Sequence, residues 1–308
     1  MNRTYHHAEK GFSLLELMVS TAVMLVVAGG AFGALNYYQK TYQRTEISAD
    51  MHDNLRSAID LIIQEAGQAG SLSLGATLGT RQLSNAVIGS PVAQVVLLND
   101  TTGIFAGEQL LVDAGANQEL VTVTPLGANS LTGVFKNAHN AAVQVNAIGV
   151  FPEGIIPPTA PTNPSTATQL HLFGDLNGDG TLVYVEYSCN YVAGGAGTLT
   201  RSVTPVGAAF VNPANVLVDN LIANPDGSPC FQYPAAPPVV AGFTFVNQVG
   251  VTLTVQTATR DALTENFLTM TKSALEIVPR NIQMGLDMAN AGWVERLQPT
   301  PITPNPMP

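Results

Sequence analysis

One stretch of this chain constrains everything else: from Phe12 to Leu35 there are 24 residues and a single charge, Glu16. A helix needs about 20 mostly apolar residues to cross the hydrocarbon core of a bilayer, and this run is long enough. A secretory signal peptide has a shorter apolar stretch followed by a small-x-small cleavage site. Here Ala28, Gly29 and Gly30 fall inside the run instead. The short leader carries Arg3 and Lys10 against Glu9, which keeps it on the cytoplasmic side and sends the C-terminal bulk across the membrane. An ionisable residue within such a segment costs several kcal/mol unless paired. Glu16 is therefore either a functional group or a carboxylate near the helix end that reaches the interface.

What precedes Glu16 sharpens the choice. The residues Lys10-Gly11-Phe12-Ser13-Leu14-Leu15-Glu16-Leu17-Met18 place a glycine before a phenylalanine and put a glutamate four residues after it. This resembles the type IV prepilin family, including the pseudopilins of type II secretion. Their leader ends in Gly, and their mature chain begins with Phe and has Glu as its fifth residue. The resemblance implies that a membrane-embedded prepilin peptidase cuts between Gly11 and Phe12 and then N-methylates Phe12. Glycine before the scissile bond leaves room for close approach of a protease, since it has no side chain. In a filament, Glu16 of one subunit would pair with the Phe12 amine of a neighbour, because a buried charge left alone is expensive.

No proline interrupts Phe12 to Ala66. Apolar residues recur at Met51, Leu55, Ala58, Ile59, Ile62, Ile63 and Ala66, the three-and-four spacing of an amphipathic helix. Asp53 and Arg56 are spaced as an i,i+3 pair on its other face. Gly67 and Gly70 supply the stop, and at 1.5 Å per residue the helix would run about 80 Å. Gly29, Gly30 and Gly33 sit inside it, either to allow close packing or local melting in a filament or as tolerated membrane glycines. The segment from Leu55-Arg56-Ser57-Ala58-Ile59 to Ala69-Gly70 is similar to the helix end of PilW-type minor pilins and of the J-type secretion pseudopilin.

Beyond Gly70 the helical period gives way to short runs rich in Val, Thr and Leu, separated by Gly, Asn, Asp and Pro, as in a sheet protein. Strands are predicted at 92–98, 109–113, 119–124, 182–187, 199–203, 241–246 and 251–257, with Asn247-Gln248-Val249-Gly250 as a hairpin turn. The fold class is thus α+β and type IV pilin-like. A long N-terminal helix, membrane-spanning in its first half, packs on an antiparallel β-sheet head that carries a small inserted β-module. The expected organisation is a cleaved leader (1–11), the transmembrane half of the helix (12–35) and its amphipathic half (36–67). There follow a linking region (68–91), the β-module (92–150), a Pro-rich linker (151–168), the pilin-like head (169–297) and a disordered tail (298–308).

The head holds two candidate sites. With Asp175 as position one, Asn177, Asp179, Thr181 and Glu186 fall at three, five, seven and twelve, with Gly180 at six, the spacing of an EF-hand loop for Ca2+. Residues 182–187 alternate as a strand, however, so the same residues also read as an Asp/Asn/Gly turn with Glu186 pointing away. Cys189 and Cys230, in a head exported by the implied route, read as a disulfide, or as two free buried thiols. His52, His139 and His171 are scattered without metal-ligand spacing.

Composition limits the remaining function classes. Lys and Arg number 12 against 22 Asp and Glu, a formal net charge of -10, so no nucleic-acid partner is expected. Neither a Gly-x-Ser-x-Gly elbow nor a phosphate loop occurs, and no enzymatic role is expected. The resemblance implies a structural minor pilin built into, or priming or capping, a type IV pilus. The alternatives are a J-like type II secretion pseudopilin and a calcium-dependent adhesive module exported as a pilin. Its partners would be the prepilin peptidase, other pilin subunits and the pilus assembly machinery. Its place would be the bacterial inner membrane with the head in the periplasm, and then the pilus at the cell surface.

Overall fold

The computed structural model describes residue 11 and residues 13–72, 81–192 and 197–306. One helix, α1 (Leu14–Gln68), runs unbroken as the absence of proline requires. The chain divides into two compact units, one formed by residues up to Asp50 with Thr259–Leu268 and the other by Met51–Ala258 with Thr269–Pro308.

In the first unit the helix is almost wholly apolar from Leu14 to Leu35 and exposed there on all sides. Leu14, Leu15, Met24, Leu25, Val26 and Phe32 each leave two thirds or more of their surface uncovered. A helix of that kind is stable only when lipid or another helix covers it, and the segment is apolar and long enough to cross a membrane. Farther along this unit, Arg44 reaches Asp261 at 3.9 Å.

In the second unit the helical stripe does what its spacing predicts. Leu55, Ala58, Ile59, Ile62 and Ala66 are buried, whereas Ile63 is not. The expected Asp53–Arg56 pair is replaced by an i,i+4 pair in the other direction, Arg56–Asp60 at 3.5 Å. Gly70, with φ +83°, ends the helical run, a backbone conformation that other residues adopt at a cost. Its N–H donates to the Phe173 carbonyl and its own carbonyl accepts from Phe151.

Two sheets follow. The strands β1 (Gln94–Leu97), β2 (Gln109–Val112), β3 (Glu119–Gly127), β4 (Ser130–Gly133) and β5 (Val145–Ala147) form an antiparallel sheet in the order β1-β4-β3-β2-β5. It has its own apolar cluster, which includes Val96, Leu110, Val121, Val123, Leu131 and Phe135. The cluster also takes in Leu83 and Val87, and Leu83 bridges to Leu98 and Val87 to His139. Of the linking region, Leu72 and residues from Arg81 onward therefore belong to this layer.

The larger sheet comprises β6 (Gln169–Gly174), β7 (Val183–Asn190), β8 (Gly197–Pro205), β9 (Asn215–Ile222), β10 (Phe231–Gln232), β13 (Val249–Gln256) and β14 (Thr269–Ile277). Its order is β10-β13-β9-β8-β7-β6, with β14 also paired to β13. The two-residue strands β11 (Val239–Val240) and β12 (Phe243–Thr244) pair with each other. Leu170, Leu172, Val185, Tyr187, Leu199, Val251 and Leu253 share one core with the buried residues of α1 and with Ile282, Leu286 and Ala289 of α2 (Arg280–Asn290).

Three expectations are corrected here. Residues 247–250 do not turn a hairpin. Val249 and Gly250 are already strand β13, and Phe245 and Val246 are fully buried, so burial rather than turn chemistry sets the path. The first half of the Pro-rich linker is core, with Phe151, Ile155 and Ile156 buried and Ile155 bridging to Leu172. Nor is the segment from Gln298 loose. Gln298 is fully buried and its side-chain amide clamps the carbonyls of Gln109 and Ile148, while Asn305 exchanges backbone hydrogen bonds with Ala209 and Val211.

Candidate functional site

At the N-terminus, α1 opens with a capping box formed by Ser13-Leu14-Leu15-Glu16. The Ser13 hydroxyl accepts from the Leu15 N–H at 3.2 Å, and the Glu16 carboxylate reaches back to accept the Ser13 N–H at 3.1 Å. Two of the N–H groups that a helix start leaves without partners are satisfied this way. Glu16 is exposed, as are its apolar neighbours. Its carboxylate is thus held at the helix entrance, at the position where a cation from another molecule can reach it. Gly11 is exposed too, and a Cβ there would meet nothing within 4 Å. Phe12 and the leader from 1 to 10 lie outside the described residues.

The loop at Asp175 is a self-capped turn. The two carboxylate oxygens of Asp175 accept from the Asp179 and Gly180 N–H groups at 3.1 and 3.0 Å, and that of Asp179 accepts from the Thr181 N–H at 2.8 Å. Ser71 fixes its start by donating to the Asp175 carbonyl. Glu186 is not brought to this loop. Strand alternation puts Tyr184, Glu186 and Ser188 on one face of β7, where both hydroxyls donate to the Glu186 carboxylate at 3.3 Å and His171 lies opposite. The twelve-position oxygen set is therefore not assembled, and Asn177 stands exposed on the turn. Among the described residues, no three His, Cys, Asp or Glu side chains converge on one point.

Cys189 on β7 and Cys230 beside β10 form a disulfide inside the helix-facing core, with Cα atoms 6.6 Å apart.

Polar groups with no sequence signal hold the β-module together. His139 is buried with Nδ1 at 3.0 Å from Asp113 and Nε2 at 2.7 Å from Glu119, so each ring nitrogen meets a carboxyl group. The His139 hydrogen bond holds Asp113 below the ordinary carboxylate range. Burial pushes Glu119 up, but bonds from His139 and from the Asn137 and Lys136 N–H groups outweigh it and lower the carboxyl overall. Both acids thus bind protons more weakly when folded than when unfolded. Their stabilisation is complete above their unfolded values and is lost as pH falls through the folded ones. Thermal melts are expected to drop as pH falls below about 5, and His139→Gln should flatten that dependence; an unchanged slope would reject it. Elsewhere in the module, Glu108 is fully buried and desolvation pushes it up to about 8.

In comparison with known proteins, residues 6–32 match the model of the prokaryotic N-terminal methylation motif. No curated protein and no solved structure is significantly similar to the chain. The motif supports the chain as a prepilin-type substrate of the pilin or pseudopilin kind, and with the apolar start of α1 it supports membrane anchoring.

Proposed function

We propose that this chain is a structural subunit, a minor pilin built into or priming a type IV pilus after cleavage between Gly11 and Phe12 and methylation of Phe12. One observation carries the reading. The methylation motif spans residues 6–32, and within it starts a helix whose first turn presents a carboxylate amid uncovered apolar side chains. Lipid covers that surface before assembly, and sibling helices cover it afterwards. The new Phe12 amine and Glu16 are the opposite charges that such packing must bring together, since either one alone in hydrocarbon costs several kcal/mol. The head then supplies the subunit's outer surface, and no chemistry is asked of it.

The mass of the mature N-terminus tests the processing step: a chain beginning with methylated Phe12 is expected. Glu16→Ala should still be cleaved but enter filaments at least about tenfold less well, since a lost pairing of only ~1.4 kcal/mol is already a factor of ten. Wild-type incorporation of that variant would rule out the docking role. Co-purification with extracellular pili supports the pilus assignment, whereas recovery with a type II secretion assembly reassigns the chain as a pseudopilin.

A further inference from the structure

The outer face of the larger sheet holds a row of polar side chains that the proposed role does not use. His171, Glu186 and Ser202 are directly opposite one another across β6, β7 and β8. The His171 ring is almost completely buried, and its Nδ1 lies 2.6 Å from the Asn163 carbonyl oxygen. A carbonyl only accepts, so Nδ1 carries the hydrogen, and in the neutral ring Nε2 presents a lone pair. Burial holds the imidazole below its ordinary titration range, against the opposing pull of the Asn163 bond and the Glu186 charge.

That Nε2 has no hydrogen-bond partner. It faces the Glu186 Oε2 at 3.7 Å, too far for a hydrogen bond, and both atoms offer electron pairs. With the ring neutral, such a pair repels unless a cation sits between them; a proton on Nε2 is the competing way to relieve it. A cation about 2.1 Å from each atom spans the 3.7 Å separation with a ligand–metal–ligand angle of roughly 120°. The supporting partners are already in place. The Asn163 carbonyl orients the ring, and the Tyr184 and Ser188 hydroxyls orient the carboxylate. Outer partners of this type are what fix metal-binding imidazoles and carboxylates. Both side chains line a cavity of about 400 Å³ whose wall also includes Gln169, Ser202 and Asn212, which leaves room for water on the open side.

We propose that His171 Nε2 and the Glu186 carboxylate bind one divalent cation of the zinc class, with water from the cavity completing its coordination. Imidazole nitrogen favours zinc, copper or nickel over calcium or magnesium, which separates this site from the oxygen-only pattern at Asp175. The site lies on the head and is independent of the N-terminal processing reading.

The test uses the untagged full chain in detergent, with His6→Ala and His7→Ala introduced to remove the leader imidazoles. Titration with zinc chloride, followed by calorimetry, should show one saturable site per chain and a rise in melting temperature. Glu186→Gln, which keeps the shape of the side chain, should weaken binding by at least about tenfold, and His171→Gln should abolish it. If either variant melts early without metal, the Cu2+ electron paramagnetic resonance spectrum of the parent decides: hyperfine coupling from a single imidazole nitrogen is expected. No saturable zinc uptake, equal affinity in both variants, or a copper spectrum without coordinated nitrogen would each overturn the site. The first of these would leave a proton on Nε2 or a bridging water as the group between the two side chains.

Discussion

Cells producing Gly11→Ala protein are expected to accumulate the uncut precursor, with Met1 still present and the Phe12 nitrogen still in a peptide bond. The substitution is a clean probe because a Cβ at Gly11 meets nothing within 4 Å, so the chain itself has no reason to fold differently. Any defect then belongs to recognition by the peptidase, where a side chain before the scissile bond obstructs the approach of the backbone. An obstruction of only about 3 kcal/mol in that cleft slows cleavage about a hundredfold. Intact-mass measurement of membrane extracts reads the outcome directly, and the expected result is the leader-bearing mass with no methylated form. Helix content should be unchanged by circular dichroism. Normal maturation of this variant would remove the processing step from the proposal, and with it the exchange of Glu16 from its own Ser13 cap to a neighbour's amine.

What could be read from the sequence was what repeats locally. The stripe from Leu55 to Ala66 declared the buried face of α1 because helix burial has a fixed period, and the alternation of Val183, Val185 and Tyr187 did the same for β7. At the functional end, the glycine, phenylalanine and glutamate were legible because processing acts on a linear segment. What failed was whatever depends on distant partners. Glu65 looks like a solvent-face acid, yet it is buried against residues more than 120 positions away. Pro-rich stretches read as loose because they lack backbone donors. Proline rings are nonetheless apolar, and Pro301 and Pro304 are buried in the strap that Gln298 and Asn305 anchor. At Asp175 the spacing was right for an oxygen cage, but strand alternation carried Glu186 to the other partner set.

The buried network at Glu65 yields the second large effect. Arg201 on β8 donates through Nε to Glu65 Oε2 at 3.1 Å and through Nη2 to Oε1, and the Tyr187 hydroxyl donates to Glu65 as well. Burial, with the Glu65 charge added, pushes the Tyr187 hydroxyl well above its ordinary range, so it stays a donor. Both donors come from strands and the acceptor from α1, so the trio ties the second half of the helix to the sheet. Its net worth against an all-apolar replacement is small, because desolvating the charges offsets much of their attraction. Breaking it from one side is different. Arg201→Met leaves the Glu65 carboxylate, only 4% exposed, with a single neutral donor. The expected cost is about 3 kcal/mol, the low end for a broken buried pair because Arg201 itself is partly exposed. For a unit of this size that lowers the melting temperature by roughly 6–12 °C. Adding Glu65→Leu to Arg201→Met should recover at least about half of the loss, since the second change removes the stranded charge and adds apolar area to the Leu55–Ala66 stripe. Thermal melts of the wild type, both single variants and the double variant close the cycle. Strictly additive losses would show that Glu65 and Arg201 do not act as a pair, and that packing alone seats this half of the helix.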